Sequence, residues 1–422
     1  MSDTKHIVIV GGGIIGCTTA YYLATHPLTA NTSTTITLIE ASKHGLAQGA
    51  SGKAGGLVAK WAYPKELVDV SFKEHVRLAE EHDGAARWGW RFVNCGSWEG
   101  RGEPFDHSGS ASGADGRHKR KSLEKTLGLD SNSDTDAAAV GESGHPDDLN
   151  WVKPSLTDAY SPMAPAGATA QVHPYLFTTS IFALAQEKGA RLVAGKATEI
   201  AIDASVPGGP RVTGVTYTPT DAPDAPPRTI PATHVVLAAG AWSPRILPAL
   251  PVAGTRAHSI TLRPPEGTRV APYVLFTEIA LPPGVAPGGP RRASPEIYAR
   301  PTDEVYCCGP GDDAAVPDTV DDVAVDAGAC ESIWEHVMSI SPVLRAGTVD
   351  KRQACFLPVV EAGGGPIVGA ADKIAKGLVV ATGHTCWGIC NAPGTAKAVA
   401  ELVLTGTVKC AKLDRLKPSR FL

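Results

Sequence analysis

Apolar positions are concentrated at the start of the chain. His6 to Val10 is a β-branched run, a glycine cluster follows, and from about Ile14 to Ala24 apolar residues recur at helical spacing. Thr34 to Ile39 then reads as a second strand, closing on Glu40. Strand, helix and strand in that order predict a βαβ unit, so a parallel sheet begins here.

Farther along, the pattern predicts a helix from about Tyr175 to Lys188 and strands at Arg191 to Ala194 and Thr198 to Ile202. Two more β segments follow at Arg211 to Thr218 and His234 to Ala238. Between Pro248 and Pro295, prolines and glycines separate short runs such as Ser259 to Leu262 and Tyr273 to Phe276. That is the pattern of an antiparallel sheet with irregular loops. The chain then reverts to α/β character, with a strand Gly377 to Ala381, a turn Gly383 to Gly388 and a helix from about Ala392 to Leu404. No internal repeat is visible.

Arg101 to Asn150 differs. Gly, Ser, Asp and His dominate it, around a basic knot at His118-Lys119-Arg120-Lys121. Such a composition cannot bury enough apolar surface to order itself, which predicts a mobile surface insertion. The knot reads first as a solvated charge run, and the insertion as a whole offers a docking arm for a protein partner.

Composition narrows the function. The 422 residues, 43% of them hydrophobic, suffice for two or three domain-sized units. Lys plus Arg number 39 against 43 Asp plus Glu, a net charge of -4 that attracts neither nucleic acid nor anionic membrane and leaves small-molecule chemistry. No apolar run approaches a membrane span, and the N-terminus leaves no room for a signal peptide's apolar core. Nine cysteines, an odd count without the paired spacing of a zinc site, predict a reduced compartment and no metal. Arg420-Phe421-Leu422 does not match the Ser-Lys-Leu peroxisomal address, so the expected location is cytoplasmic, with endosomal association left open.

Val10-Gly11-Gly12-Gly13-Ile14-Ile15-Gly16 contains GxGxxG between the strand and helix that this motif requires. Gly11 permits a tight turn, Gly13 lets a pyrophosphate approach the backbone, and Gly16 lets helix and strand pack closely. The helix N-terminus supplies free N–H groups and a positive dipole for phosphates. Glu40 is placed to accept from adenosine ribose hydroxyls and would repel a 2′-phosphate, which disfavours NADP. An ordinary strand-to-helix turn is the bland reading of the glycines. The acid at the tip of the second strand favours dinucleotide binding, without separating FAD from NAD.

A resemblance bears on that choice. Gly49-Ala50-Ser51-Gly52-Lys53-Ala54-Gly55-Gly56-Leu57 resembles the second cofactor segment of the amino-acid oxidase superfamily, which includes D-amino-acid, glycine and sarcosine oxidases. Gln171-Val172-His173-Pro174 resembles the stretch that opens the long helix before Ala197-Thr198. Val235-Val236-Leu237-Ala238-Ala239-Gly240-Ala241-Trp242-Ser243 is similar to the Ala-Gly-Ala-Trp-Ser element. Gly383-His384-Thr385-Cys386-Trp387-Gly388, leading through Asn391-Ala392-Pro393, resembles the C-terminal element that wraps the flavin ring. The matches keep the family's order along nearly the whole chain apart from the insertion. Their details look most like the fungal FAD-dependent oxidoreductases, a group named in yeast for a topoisomerase-damage phenotype.

The resemblance implies an α/β fold: a Rossmann-like FAD-binding domain with an antiparallel-sheet substrate domain. The first would comprise 1–65, 172–250 and 365–422, the second 66–171 and 251–364, with 101–150 as the insertion. FAD would be held by Gly11, Gly13, Ile14, Ile15, Gly16, Glu40 and Ala41 and by Ser51, Gly52, Lys53, Ala54, Gly55, Gly56 and Leu57. Ala197, Thr198, Ala239, Gly240 and Trp242 would join them, and Gly383, His384, Trp387, Gly388 and Ile389 would complete the set with Cys355.

In this superfamily the flavin N5 takes a hydride from a carbon bearing an amine, so the implied substrate is an amine or amino acid and the implied acceptor molecular oxygen. A dehydrogenase with another acceptor and a flavoprotein kept as an assembly or trafficking factor are the rival readings. Glycine and D-amino-acid oxidases present an arginine to the substrate carboxylate from a place where this sequence has Leu357. The clamp is missing from that place, which casts doubt on a free α-amino acid, with Arg352 or Arg300 as substitutes. The same register sets Cys355 where sarcosine and fructosyl-amino-acid oxidases carry the cysteine bonded to the flavin 8α-methyl group. A covalent link and a small buried cysteine on a strand both remain open.

Four catalytic candidates follow: His384 and Trp387 on the loop expected to cover the flavin, Lys53 as a cation stabilising reduced flavin or oxygen activation, and Arg300 on the substrate side beside Tyr298. Each has a plain alternative. His384 could satisfy a turn, Trp387 fill core, and Lys53 lie exposed.

Overall fold

The computed structural model describes residues 4–30, 32–105, 144–283 and 291–422. Most of the expected insertion therefore lies outside the described residues, but its ends do not. Arg101 closes the strand Asn94–Arg101, while Leu149 and Trp151 are buried in a hydrophobic core.

Five parallel strands form the centre of an eight-stranded sheet, in the order Arg191–Asp203, Thr35–Glu40, His6–Val10, His234–Leu237 and Leu378–Thr382. Ile7 to Val10 are all buried, as expected for a parallel strand covered on both faces. Antiparallel strands extend both edges: Arg211–Pro219 and Arg228–Pro231 on one side, Ile367–Ala370 on the other. The two strands expected between Arg191 and Ile202 are one continuous strand. Its first residues pair with Thr37 to Glu40 and its remainder forms a hairpin with Arg211–Pro219, with register shifts between Ala197 and Glu199 and between Ala201 and Ile202. Those bulges break the alternation that sequence reading relies on.

The helix Ile14–Thr25 is buried from Ile14 to Ala24, because three further helices, Lys65–Glu81, Pro174–Glu187 and Gly388–Thr405, pack around this layer. A helix apolar on every side fits such a place. The last helix begins at Gly388, a turn earlier than expected, and keeps Pro393 inside it. A proline there removes the N–H that would serve the carbonyl of Ile389. The neighbouring helix makes good the loss: His75 Nε2 lies 3.0 Å from the Ile389 oxygen and 3.2 Å from that of Cys390, and Ser71 Oγ accepts from Gly394 N–H at 3.1 Å. Burial pushes the His75 pKa down to about 4, so the ring stays neutral and Nε2–H donates.

The second large sheet runs in the order Thr348–Val360, Val252–Arg263, Val305–Asp312, Glu296–Ala299, Tyr273–Ala280, Asn94–Arg101, Thr157–Pro162. It is antiparallel as expected, except that Tyr273–Ala280 and Asn94–Arg101 pair in parallel, since a long connection separates them in the chain. One face of its first five strands closes over the C-terminal ends of the parallel strands, the usual place for a ligand crevice in an open α/β sheet.

Candidate active site

The turn after His6–Val10 is built for close approach. A Cβ on Gly16 would stand 1.9 Å from the Gly11 carbonyl oxygen, so only glycine lets the helix start this near the strand. Ser51 reaches in from the second loop and accepts the Ile14 N–H at 2.8 Å, capping the helix from outside. The other first-turn N–H groups have no intrahelical partner, which makes this end an anion site. At the tip of the next strand the Glu40 carboxylate accepts from Gly12 N–H at 2.6 Å and Ser42 N–H at 2.7 Å. Burial pushes its pKa up against the pull of these backbone donors.

The loop from Gly49 to Leu57 presses against the second sheet. At Gly55 an added Cβ would meet the Tyr298 ring at 2.7 Å. Arg300 donates to the Ala54 carbonyl, and Lys53 donates Nζ–H to the Ala354 carbonyl at 3.0 Å. Burial lowers the Lys53 pKa, with Cys355 and Asp321 opposing.

Together these elements wall one cavity. Gly11, Gly13, Ile14, Ile15, Glu40, Ala41, Ser51, Lys53, Ala54, Gly55, Gly56 and Leu57 line it, as do Ala197, Ala239, Gly240, Trp242 and Cys355. Gly383, His384, Trp387, Gly388 and Ile389 line it from the C-terminal turn. Gly16 stands behind the wall as packing. Gly52 and Thr198 are also outside the lining, Thr198 because its hydroxyl turns to the Thr216 carbonyl at 3.2 Å beside a bulge.

Neither substitute arginine reaches the cavity. Arg352 is about half exposed and lies 3.6 Å from Glu331 at the surface. Arg300 is buried behind the wall, 2.6 Å from Glu304, its guanidinium 4.7 Å from the centre of the Tyr306 ring. Leu357 is buried and lines the cavity.

His384 turns its Nε2 to Thr395 Oγ1 at 3.0 Å, and burial pushes its pKa down to about 3, so it is neutral. Trp387 packs edge-on against Trp61 and Tyr63, with ring centres 5.6 and 5.5 Å away, and its indole N–H has no partner among the described residues. Cys355 and Leu357 pack with Ala257, Ala50 and Cys386. Burial pushes the Cys355 thiol up to about 11 while the Lys53 ammonium pulls it down.

Sequence reading missed two parts of this wall. The first is the row Phe276, Glu296, Tyr306 and Cys308, which faces the cavity beside Tyr298. Its members are brought together by cross-strand register, Phe276 opposite Glu296, Glu296 opposite Cys308 and Tyr298 opposite Tyr306. The second is a strap at 316–322. Trp242 Nε1–H donates to the Pro317 carbonyl at 2.9 Å, Asp318 pairs with Lys196 at 2.6 Å and Arg245 at 3.3 Å, and Asp321 accepts from Ser42 Oγ at 2.6 Å.

The residues present suit a dinucleotide with a flat ring system. Glycines let the wall close tightly, since an added Cβ at Gly11, Gly13 or Gly55 would collide with Ala238, Ser51 or Tyr298. A helix N-terminus and a strand-tip carboxylate lie at one end, and aromatic rings lie at the other. Among the described residues no group of His, Cys, Asp or Glu could hold a metal ion, and no helix is long and apolar enough to cross a membrane.

A family model described as FAD dependent oxidoreductase matches residues 6–402. The chain is 34% identical to Saccharomyces cerevisiae TDA3, which carries the name of an oxidoreductase, over 512 aligned residues that cover 99% of this chain and 95% of the relative. Among solved structures, iminodiacetate oxidase from Chelativorans sp. BNC1 is 19% identical and covers 98% of both chains at a TM-score of 0.66. L-proline dehydrogenase from P. horikoshii is 15% identical, covering 100% of this chain and 98% of that one at a TM-score of 0.67. These two likenesses are of fold.

Proposed function

The chain belongs to the FAD-dependent oxidoreductase family, and from that premise we propose that it oxidises the C–N bond of a primary or secondary amine, with molecular oxygen as the final acceptor. The observation that carries this reading is the single cavity joining the glycine-walled strand ends to an aromatic, largely apolar wall on the second sheet. When bound, FAD supplies hydride acceptance from the amine-bearing carbon and returns the electrons to oxygen as hydrogen peroxide, leaving an imine that water hydrolyses.

The residues divide that task. The first turn of Ile14–Thr25 would hold the pyrophosphate and Glu40 the ribose. Lys53 sets a cation into the wall beside Cys355. Arg300 acts from behind the wall, fastening the Ala54 carbonyl and backing the Tyr306 ring. Neutral His384 fixes the C-terminal turn to the last helix, and Trp387 excludes water. Covalent attachment of FAD through Cys355, which lies in the wall, is part of this reading.

Anaerobic mixing of the purified holoenzyme with a panel of primary and secondary amines tests it. Bleaching of the visible flavin band, restored by oxygen with release of peroxide, is the expected result. The likeness to L-proline dehydrogenase supports a second reading, in which the bleached flavin recovers with a quinone and not with oxygen. A flavin that no amine bleaches overturns both and leaves an assembly or trafficking role.

A further inference from the structure

The wall of the cavity formed by the second sheet carries a buried carboxylate that no cation pairs with among the described residues. Glu296 is 8% exposed and lines the cavity from a short strand. Its carboxylate accepts the Tyr298 hydroxyl and the Cys308 thiol, the latter at 3.7 Å, and no cation pairs with it among the described residues. Phe276, Tyr298, Tyr306 and Trp387 line the same cavity. The cationic side chains nearby are engaged elsewhere: Arg300 with Glu304, Lys196 and Arg245 with Asp318, and Lys53 on the Ala354 carbonyl with Cys355 and Asp321 as its electrostatic neighbours.

We propose that Glu296 determines specificity, selecting a carboxylate-free amine by seating the substrate's ammonium between its carboxylate and the surrounding aromatic rings. The substrate class rests on the amine-oxidation reading above. An ammonium gains from both parts of such a site, a charge-assisted hydrogen bond to the carboxylate and attraction to ring faces. An α-amino acid would bring a second carboxylate beside Glu296, which has no cation among its electrostatic neighbours, since the Lys53 of this cavity stands beside Cys355 instead. Burial also raises the Glu296 pKa, which suits the group to take the proton that an ammonium sheds before its carbon can give up hydride.

The test is a binding measurement on holoenzyme. α,α-Dimethylbenzylammonium, which keeps its N–H donors but has no hydrogen on its amine-bearing carbon to give up, and benzoate are each titrated while the visible flavin band is followed. The ammonium is expected to shift the band in the wild type and benzoate is not, and Glu296→Gln should weaken the ammonium by about tenfold or more with flavin content unchanged. Should Glu296→Gln fail to hold flavin, the wild-type preference and Glu296→Asp, which keeps the charge, still decide, because both should favour the ammonium over benzoate. A wild type that prefers benzoate, a band indifferent to the ammonium, or equal ammonium affinity in Glu296→Gln overturns the proposal. None of these readouts needs turnover. Glu296-dependent ammonium binding beside a flavin that no amine bleaches would sustain the ammonium site and overturn the oxidation reading alone.

Discussion

His75 Nε2–H donates at 3.0 Å to the carbonyl of Ile389, the acceptor that Pro393 cannot serve. A side chain on one helix thus replaces a backbone hydrogen bond missing from another, at the part of the cavity wall formed by Gly388 and Ile389. Removing the ring should leave two buried carbonyls short of a donor. His75→Phe is expected to cost about 1–3 kcal/mol by urea denaturation, the usual penalty for an orphaned buried polar group. Pro393→Ala, which restores the backbone N–H, should reduce the cost of His75→Phe when the two are combined. Strictly additive effects in that cycle would refute the compensation.

Glu40 accepts the N–H groups of Gly12 and Ser42 at the strand tip, and the proposed function gives it the ribose hydroxyls to hold. Glu40→Ala removes hydrogen bonds to a charged acceptor, each worth roughly 1.5–3 kcal/mol, so flavin affinity should fall about tenfold or more. Flavin fluorescence during dissociation measures it, and an unchanged Kd would rule out this role for Glu40.

What could be read from the sequence was what depends on near neighbours. His6–Val10 and the helix beginning at Ile14 were legible because strand and helix periodicity are local, and the glycine turn needs no partner to be recognised. The start of the last helix was hidden because Pro393 looks like a boundary until His75 and Ser71, more than three hundred residues earlier, are seen to support it. Glu296 was hidden for a related reason. Nothing in Glu296-Ile297-Tyr298-Ala299 says which face is wet, and only pairing with Phe276 and Cys308 turns the carboxylate toward the cavity. Arg300 shows the converse: an arginine beside a cavity strand reads as a ligand until Glu304 and Tyr306 are found around it.

Cys355 lines the cavity with its thiol protonated by burial, and Cys386 packs against the same small cluster. Acid precipitation of purified protein should leave yellow flavin in the pellet. Cys355→Ala should release it to the supernatant, whereas Cys386→Ala should keep it bound. Flavin released from the wild type would end the covalent proposal and leave reversible FAD binding intact.

Acid should weaken the fold through its buried neutral histidines. Burial holds His384 at about 3 and His75 at about 4, below the ordinary value near 6.5 that each regains on unfolding. Between those limits the unfolded chain binds the extra protons, so stability is fully present above pH 6.5 and falls as pH drops toward the folded values. At pH 5.5 each ring should cost about 1.4 kcal/mol relative to neutral pH. Urea midpoints at pH 7.5 and 5.5 measure the loss. His384→Gln, which keeps a polar group toward Thr395, should shrink the difference between the two pH values by about that amount even if it lowers stability at both. An equal acid loss in wild type and variant would mean that His384 takes up a proton without unfolding, which its burial against Thr395 on the last helix argues against.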